Sequence, residues 1–344
     1  IHAVCSELEM RKEYLGGETI ETIYWGGGTP SQLDKEDFET IFYYLHKNYS
    51  ISSHPEITLE ANPDDLTPDY IAMLRTLPFN RLSMGIQTFN ESILKVLQRR
   101  HTARQAIEAF QNCRAAGFQN ISIDLMYGLP GETLSTWQQD LDQALLLHPE
   151  HLSAYHLIYE EDTVLWKLRE QHKVEEADED LSVSLFSTLI DRLTSEGYDH
   201  YEISNFSLPG LYSRHNSSYW TEKKYLGCGP SAHSYNGVSR QWNVASLDTY
   251  IKGISAGTPV FEIEELDLYT RYNDFVITRI RTEWGMPLSK LRDEFGEKLY
   301  DYCLRMAAPH LKQGTLELVN DILKLTRKGI FISDGIMSDM LWTD

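Results

Sequence analysis

The stretch Glu21-Thr22-Ile23-Tyr24-Trp25-Gly26-Gly27-Gly28-Thr29-Pro30 is a short apolar run that ends in three glycines. β-Branched and aromatic residues favour an extended strand. Glycines at the end of a strand let a ligand approach the backbone with no Cβ in the way, whereas a tight strand-to-helix turn would need only one. The run is not a Gly-Lys-Ser/Thr phosphate loop, and Ser31 stands where a dinucleotide fingerprint needs its last glycine.

The same layout recurs downstream. Strand-like Glu56–Glu60 opens into Glu60-Ala61-Asn62-Pro63, and Arg81–Gln87 ends on Gln87. Ile121–Tyr127 carries Asp124 and leads to Gly128-Leu129-Pro130-Gly131-Glu132-Thr133, and Leu152–Tyr159 closes the series. Helical patterns lie between them at Lys35–His46, Pro68–Leu77, Glu91–Leu97, Ala103–Ala116 and Leu134–Leu147. Strands beginning near 21, 56, 81, 121 and 152 are spaced by 25 to 40 residues, as right-handed βα units require. The expected fold is α/β: a partial parallel (β/α)6 TIM-like barrel whose strand ends face one shared cavity. The chain opens inside an amphipathic helix stopped by Gly16-Gly17, with no strand before it, so the first barrel strand is expected to be missing from this sequence.

After residue 160 the pattern changes. The acidic run Glu175–Asp180 reads as a solvated helix start, followed by a helix at Leu181–Ser195 and a strand at Tyr201–Phe206. His215 to Asn243 is rich in Gly, Ser, Tyr and Trp and shows little periodicity. Helices are then expected at Tyr269–Thr282, Pro287–Phe295 and Leu299–Gln313, followed by a ribbon at Leu316–Leu325 and a short strand at Ile330–Ser333. Three helices and a β-ribbon suggest a winged-helix-like α+β module. It lacks a basic helix, so it reads as structural or protein-facing. The expected division is a barrel over 1–200, an irregular extension over 201–265 and the winged-helix-like module over 266–344.

With 344 residues, 42% of them apolar, the chain suits one large α/β domain with an appendage. A net charge of −20 repels phosphate backbones and argues against a nucleic-acid partner. No apolar run is long enough to span a membrane and the first residues lack a signal-peptide layout, so a cytoplasmic location is expected. Cys5, Cys113, Cys228 and Cys303 contain no CxxC pair and no zinc or iron–sulfur spacing. They are expected to be reduced structural thiols, with no metal site in this chain.

Glu60 and Asp124 are carboxylates on apolar strands, costly to bury unless they meet a cation, a donor or ligand hydroxyls. Ribose hydroxyls are one natural partner and a divalent metal is another, although no histidine stands beside them at a strand end. Gln87 offers a donor and an acceptor. Arg99, after the next short helix, can grip a carboxylate in bidentate fashion.

Gly26-Gly27-Gly28-Thr29-Pro30, Glu60-x-Asn62-Pro63, Gly85-Ile86-Gln87 and Asp124 through Gly131 resemble the radical S-adenosylmethionine proteins of the oxygen-independent coproporphyrinogen III oxidase group. The resemblance runs through the C-terminal module. It implies a barrel holding S-adenosylmethionine and a [4Fe–4S] cluster. Gly27, Gly28 and Thr29 would contact the methionine end, Glu60, Gln87, Arg99 and Asp124 would complete the pocket, and Ile158 would add an apolar contact. The family's CxxxCxxC motif is not in this sequence, and Cys5 lies in a helix. The cluster is therefore expected only with an N-terminal segment that the sequence lacks. His215-Asn216-Ser217-Ser218-Tyr219-Trp220 resembles the HNxxYW motif of the heme chaperone branch, which implies His215 as a heme ligand, heme or porphyrin as cargo and heme-acceptor proteins as partners. The other branch implies oxidative decarboxylation of coproporphyrinogen III.

Overall fold

In the computed structural model, which describes residues 1–343, α1 (His2–Met10) is followed by a strand–helix alternation. Its members are β1 (Ile20–Trp25), α2 (Lys35–Asn48), β2 (Ile51–Ala61), α3 (Pro68–Leu74), β3 (Arg81–Gln87), α4 (Glu91–Val96), α5 (Ala103–Ala115), β4 (Ile121–Tyr127), α6 (Leu134–Leu147) and β5 (His151–His156). Then come α7 (Val164–Glu170), α8 (Glu179–Ser195), β6 (Asp199–Glu202) and β7 (Asn205–Ser207). The seven strands form one sheet in the order β1-β2-β3-β4-β5-β7-β6. β2 to β5 pair in parallel, and β7 runs antiparallel to both β5 and β6. This is a curled, parallel-dominated half-barrel. The single strand expected at Tyr201–Phe206 is instead a hairpin broken at Ile203-Ser204, a connection short enough to join only antiparallel strands.

Local chemistry sets the helix starts. Thr67 Oγ1 accepts from the Tyr70 N–H at 3.3 Å, and Thr102 and Thr133 each form a capping box. From the acidic run, Asp178 caps α8 by accepting from the Leu181 N–H at 2.7 Å.

The two faces of the sheet differ. Leu82, Met84, Ile86, Ile121, Ile123 and Leu125 are fully buried on one face. The other face buries Arg81, Ser83, Ser122, His151 and Ser153. Buried polar groups need partners. Ser122 Oγ and Tyr201 Oη each lie 2.7 Å from a His151 ring nitrogen. Burial, reinforced by the Arg81 charge, pulls the His151 pKa well down and keeps the ring neutral.

Beyond residue 213 the chain forms α9 (Arg214–Tyr219), β8 (His233–Tyr235), β9 (Ser239–Asn243), α10 (Leu247–Ser255) and β10 (Phe261–Glu265). β10, β9 and β8 make an antiparallel sheet in that order. The stretch expected to be irregular thus contains short regular elements, with strands of three and five residues that are too short to display a period, while residues 220–232 between α9 and β8 form no helix or ladder strand. The last part holds α11 (Leu268–Ile280), β11 (Met286–Pro287), α12 (Leu288–Gln313), β12 (Leu316–Val319) and β13 (Ile322–Leu325). α12 breaks at Gly296, with φ 79°, where the sequence divides two helices. Its sheet has the order β11-β13-β12.

The strand expected at Ile330–Ser333 is not formed; this part of the chain belongs to α13 (Arg327–Ile330) and α14 (Ser333–Met340). Thr326 caps α13 by accepting from the Gly329 N–H at 3.2 Å. Ile336, Met337 and Met340 bury one face of α14 at helical spacing, while Ile332 is left exposed.

The chain divides into two compact units, one of residues 1–21, 36–55 and 214–344, the other of 22–35 and 56–213. The first is tied together by Glu7 of α1, which is 0% exposed. Its carboxylate accepts from Tyr250 Oη at 2.6 Å, Asn243 Nδ2 at 2.7 Å, the Gly229 N–H at 2.9 Å and Arg11 Nη1 at 3.3 Å.

Candidate functional site

Glu60, near the end of β2, is gripped from β1. Tyr24 Oη donates to its Oε1 at 2.6 Å and the Gly27 N–H to its Oε2 at 3.2 Å. Burial, and then the adjacent Glu60 charge, push the Tyr24 pKa up, so the phenol stays a donor. Each of the three glycines answers a different demand. A Cβ on Gly26 would fall 2.6 Å from Glu60 Cδ and 2.6 Å from Tyr24 Cε1. Gly27 has φ 79°, a region L side chains rarely adopt. Gly28 has no positive φ, and nothing lies within 4 Å of an added Cβ. No neighbour in the chain requires glycine at 28; the space above it is open, and Thr29 beside it is exposed.

The turns after β1 and β2 are locked together. Ser31 Oγ donates to Asp65 Oδ2 at 2.7 Å, and Arg100 Nη2 to Asp65 Oδ1 at 3.1 Å. β3 ends in an irregularity between Gly85 and Gln87, where Gln87 takes φ 71°. A non-glycine residue in that region is strained and needs support from its surroundings. Asp140 of α6 supplies it, accepting from Thr88 Oγ1 and, at 2.9 Å, from the Phe89 N–H. Arg99 Nη2 donates to Asn62 Oδ1 and to the Gly85 carbonyl, each at 3.0 Å. A Cβ on Gly85 would lie 2.9 Å from Gln87 Nε2 and 3.3 Å from Arg99 Nη2, so glycine leaves room for both side chains.

Asp124 sits within β4, three residues before its end and deeper than the strand tip expected from sequence. Ser83 Oγ donates to its Oδ2 at 3.2 Å. Burial raises its pKa to about 6; the Ser153 hydroxyl and the Arg81 charge oppose this, and the Glu60 charge adds to it. Asp124 therefore holds its proton to higher pH than a free carboxylate, and the Arg81 charge favours its ionised form.

Gly27, Gly28, Thr29, Glu60, Gln87 and Arg99 thus gather about the C-terminal ends of β1 to β3, with Asp124 deeper in β4. Ile158 lies two residues past β5 and is 76% exposed. Asn62 belongs to the Glu60-x-Asn62-Pro63 motif, whereas no sequence motif marks Tyr24, Arg81 or Ser83. The period-two polar series Arg81, Ser83, Gly85, Gln87 through an otherwise apolar strand is the signal that marks this face.

His215 lies on α9. Its Nε2 is 2.9 Å from Tyr219 Oη, the i,i+4 spacing placing both on one helix face. The two rings meet edge-on at 5.1 Å, and Tyr219 meets Tyr225 the same way at 4.9 Å. The Arg281 guanidinium lies 4.3 Å from the Trp220 ring centre.

Residues 6–144 match the radical SAM superfamily and residues 266–332 the HemN C-terminal domain. The heme chaperone HemW of Mycobacterium tuberculosis is 32% identical over 340 residues, covering 98% of this chain and 85% of that protein. The chain belongs to the HemW family. HemW of Lactococcus lactis is likewise 32% identical, over 330 residues, covering 95% of this chain and 86% of the relative. The structure of coproporphyrinogen III oxidase (HemN) from Escherichia coli, a radical SAM enzyme, matches with a TM-score of 0.84 at 23% identity, covering 98% of this chain and 82% of that one. At that identity the likeness establishes a shared fold. The radical SAM group expected from the Gly26–Pro30, Glu60–Pro63 and Asp124–Gly131 motifs, and the chaperone branch expected from His215–Trp220, are the ones found. No helix among the described residues is long and apolar enough to cross a membrane.

Proposed function

We propose that the chain binds S-adenosylmethionine at the β1–β4 strand ends and carries heme at α9 for delivery to acceptor proteins. The open floor at Gly28, flanked by Glu60, supports the first half: a glycine that the fold itself does not need. The donor set suits the ligand. Gly27, Gly28 and Thr29 would line its methionine end, and Arg99 would pair with its carboxylate. Glu60 and Asp124 would accept from its ammonium and ribose hydroxyls, Gln87 would bridge, and Ile158 would add apolar cover. When bound, adenosylmethionine supplies a nucleoside-bearing sulfonium. Tyr24 and the Gly27 N–H hold Glu60 in one orientation before the ligand arrives, and Asp140 does the same for the Gln87 turn.

The chain's own thiols do not fit a [4Fe–4S] cluster. Cys5, Cys113 and Cys303 are buried, Cys228 is partly so, and all four are unpaired. Burial pushes every one of them up, to about 12 at Cys113 and about 11 at Cys303, away from the thiolate that binds iron. Unpaired thiols do suit a reducing, cytoplasmic setting.

For heme, His215 offers an imidazole nitrogen among aromatic rings, a donor set proper to a planar iron macrocycle. Heme titration of the purified protein tests this reading. One heme per chain is expected, with a ligand spectrum lost in His215→Ala. Absence of heme binding, or coproporphyrinogen decarboxylation by the protein, would overturn it.

A further inference from the structure

A cavity of about 590 Å³ opens beside α9, wholly within the unit that contains residues 214–344. Its volume lies within the range of small-molecule sites, roughly 300–1,000 Å³. Tyr219, Trp220, Tyr225 and Tyr235 contribute rings to its wall. Such a wall suits the face of a flat, conjugated molecule.

The charged groups in the wall are not equivalent. Arg240 is neutralised by Glu264 at 3.1 Å and Asp274 at 3.2 Å. Lys290 is neutralised by Glu222 at 2.8 Å and Glu294 at 3.4 Å. Arg271 also lines the cavity, yet among the described residues its guanidinium has no carboxylate partner; it rests 5.9 Å from the Phe295 ring. A half-buried guanidinium with its fork unused is a receptor for a carboxylate. In a chain of net charge −20, an anionic ligand needs such a local counter-charge.

We infer that this cavity binds a planar aromatic macrocycle bearing carboxylates, with Arg271 as the anion anchor. The inference rests on the heme reading above and deepens it. Tyr219 connects the two, since its ring lines the cavity while its hydroxyl holds His215 Nε2. Arg271 then fixes the acidic edge of the macrocycle, on the same unit as the helix that carries His215.

Iron-free protoporphyrin IX separates the two claims, because it carries the carboxylates without the iron that His215 would ligate. Its binding is measured by quenching of tryptophan fluorescence, alongside its dimethyl ester and heme. Arg271→Gln should weaken protoporphyrin IX and heme by about 10- to 100-fold, the worth of a charge-assisted hydrogen bond. It should leave the weaker binding of the ester within about twofold. Arg271→Lys, which keeps the charge but loses the fork, should fall between, and it serves if the glutamine variant melts early. His215→Ala should weaken heme alone. Equal protoporphyrin affinity in wild type and both Arg271 variants would overturn the anchor, even where His215→Ala abolishes the heme spectrum. An Arg271-dependent porphyrin affinity with an unchanged heme spectrum in His215→Ala would keep the anchor and remove the histidine ligand. Failure of the wild type to bind any of the three would overturn both.

Discussion

Gly26 and Gly28 are two residues apart in one loop, yet the structure assigns them opposite fates on substitution by alanine. At Gly26 the new methyl would stand 2.6 Å from Glu60 Cδ and Tyr24 Cε1 and 2.7 Å from Glu60 Oε1. Relieving that overlap needs about 1 Å of movement to reach ordinary carbon contact. The groups that must move are the two partners of the 2.6 Å Tyr24–Glu60 hydrogen bond. A hydrogen bond to a charged group contributes about 1.5–3 kcal/mol, so Gly26→Ala should lower stability by about 2 kcal/mol. Adenosylmethionine affinity should fall by about 10- to 100-fold, as Glu60 leaves its position. At Gly28 the methyl meets nothing and the backbone is unstrained. Gly28→Ala should leave stability within about 0.5 kcal/mol of wild type, while lowering affinity by placing a methyl where the ligand lies. Calorimetric titration with adenosylmethionine, paired with urea denaturation of the same samples, reads both quantities. Wild-type affinity in both variants would refute the reasoning, since neither Glu60 nor the open floor would then face the ligand.

Two further outcomes concern stability. Glu7→Ala leaves Tyr250, Asn243, Arg11 and the Gly229 N–H without their shared acceptor and should cost about 3–5 kcal/mol in urea denaturation; a loss below about 1 kcal/mol would contradict it. Burial raises Glu132 to about 7 and Asp140 to about 6, each above its usual carboxylate range. The folded chain therefore holds these protons longer than the unfolded chain, and ionising them costs stability as pH rises from about 4 to about 7. Glu132→Gln should therefore stabilise the protein at pH 8 relative to wild type by up to about 3 kcal/mol, with the gain fading toward pH 4.5. A gain independent of pH would dispose of this account.

The half-barrel was readable because its strands are apolar, branched and separated by capped helices, so that period and punctuation agree from Glu21 to His156. The antiparallel close was not, because Tyr201–Phe206 looks continuous and only the two-residue break at Ile203-Ser204 reveals the hairpin. At the C-terminus the branched residues Ile330 and Ile332 suggested extension, but a threonine cap and the Ile336, Met337, Met340 face decided for helix. In the site, the groups at strand tips stood out because polar residues there interrupt apolar runs. Tyr24 and Arg81 were hidden because their roles lie in long side chains that cross to neighbouring strands, a relation no linear pattern records. In the sequence the triple glycine looks like one device; in the structure each glycine answers a separate demand.

The carboxylate of Glu7 also sets a timetable for synthesis. Its partner Tyr250 follows it by 243 residues. At about 5–20 residues per second, a growing chain spends roughly 10–50 s with that group in water before its donors exist. The segments 22–35 and 56–213 are complete by then, so the strand–helix alternation has the opportunity to settle while Glu7 still lacks its partners. Such a late, long-range closure leaves the apolar face of α1 uncovered in the nascent chain until the segment that carries Asn243 and Tyr250 has been made.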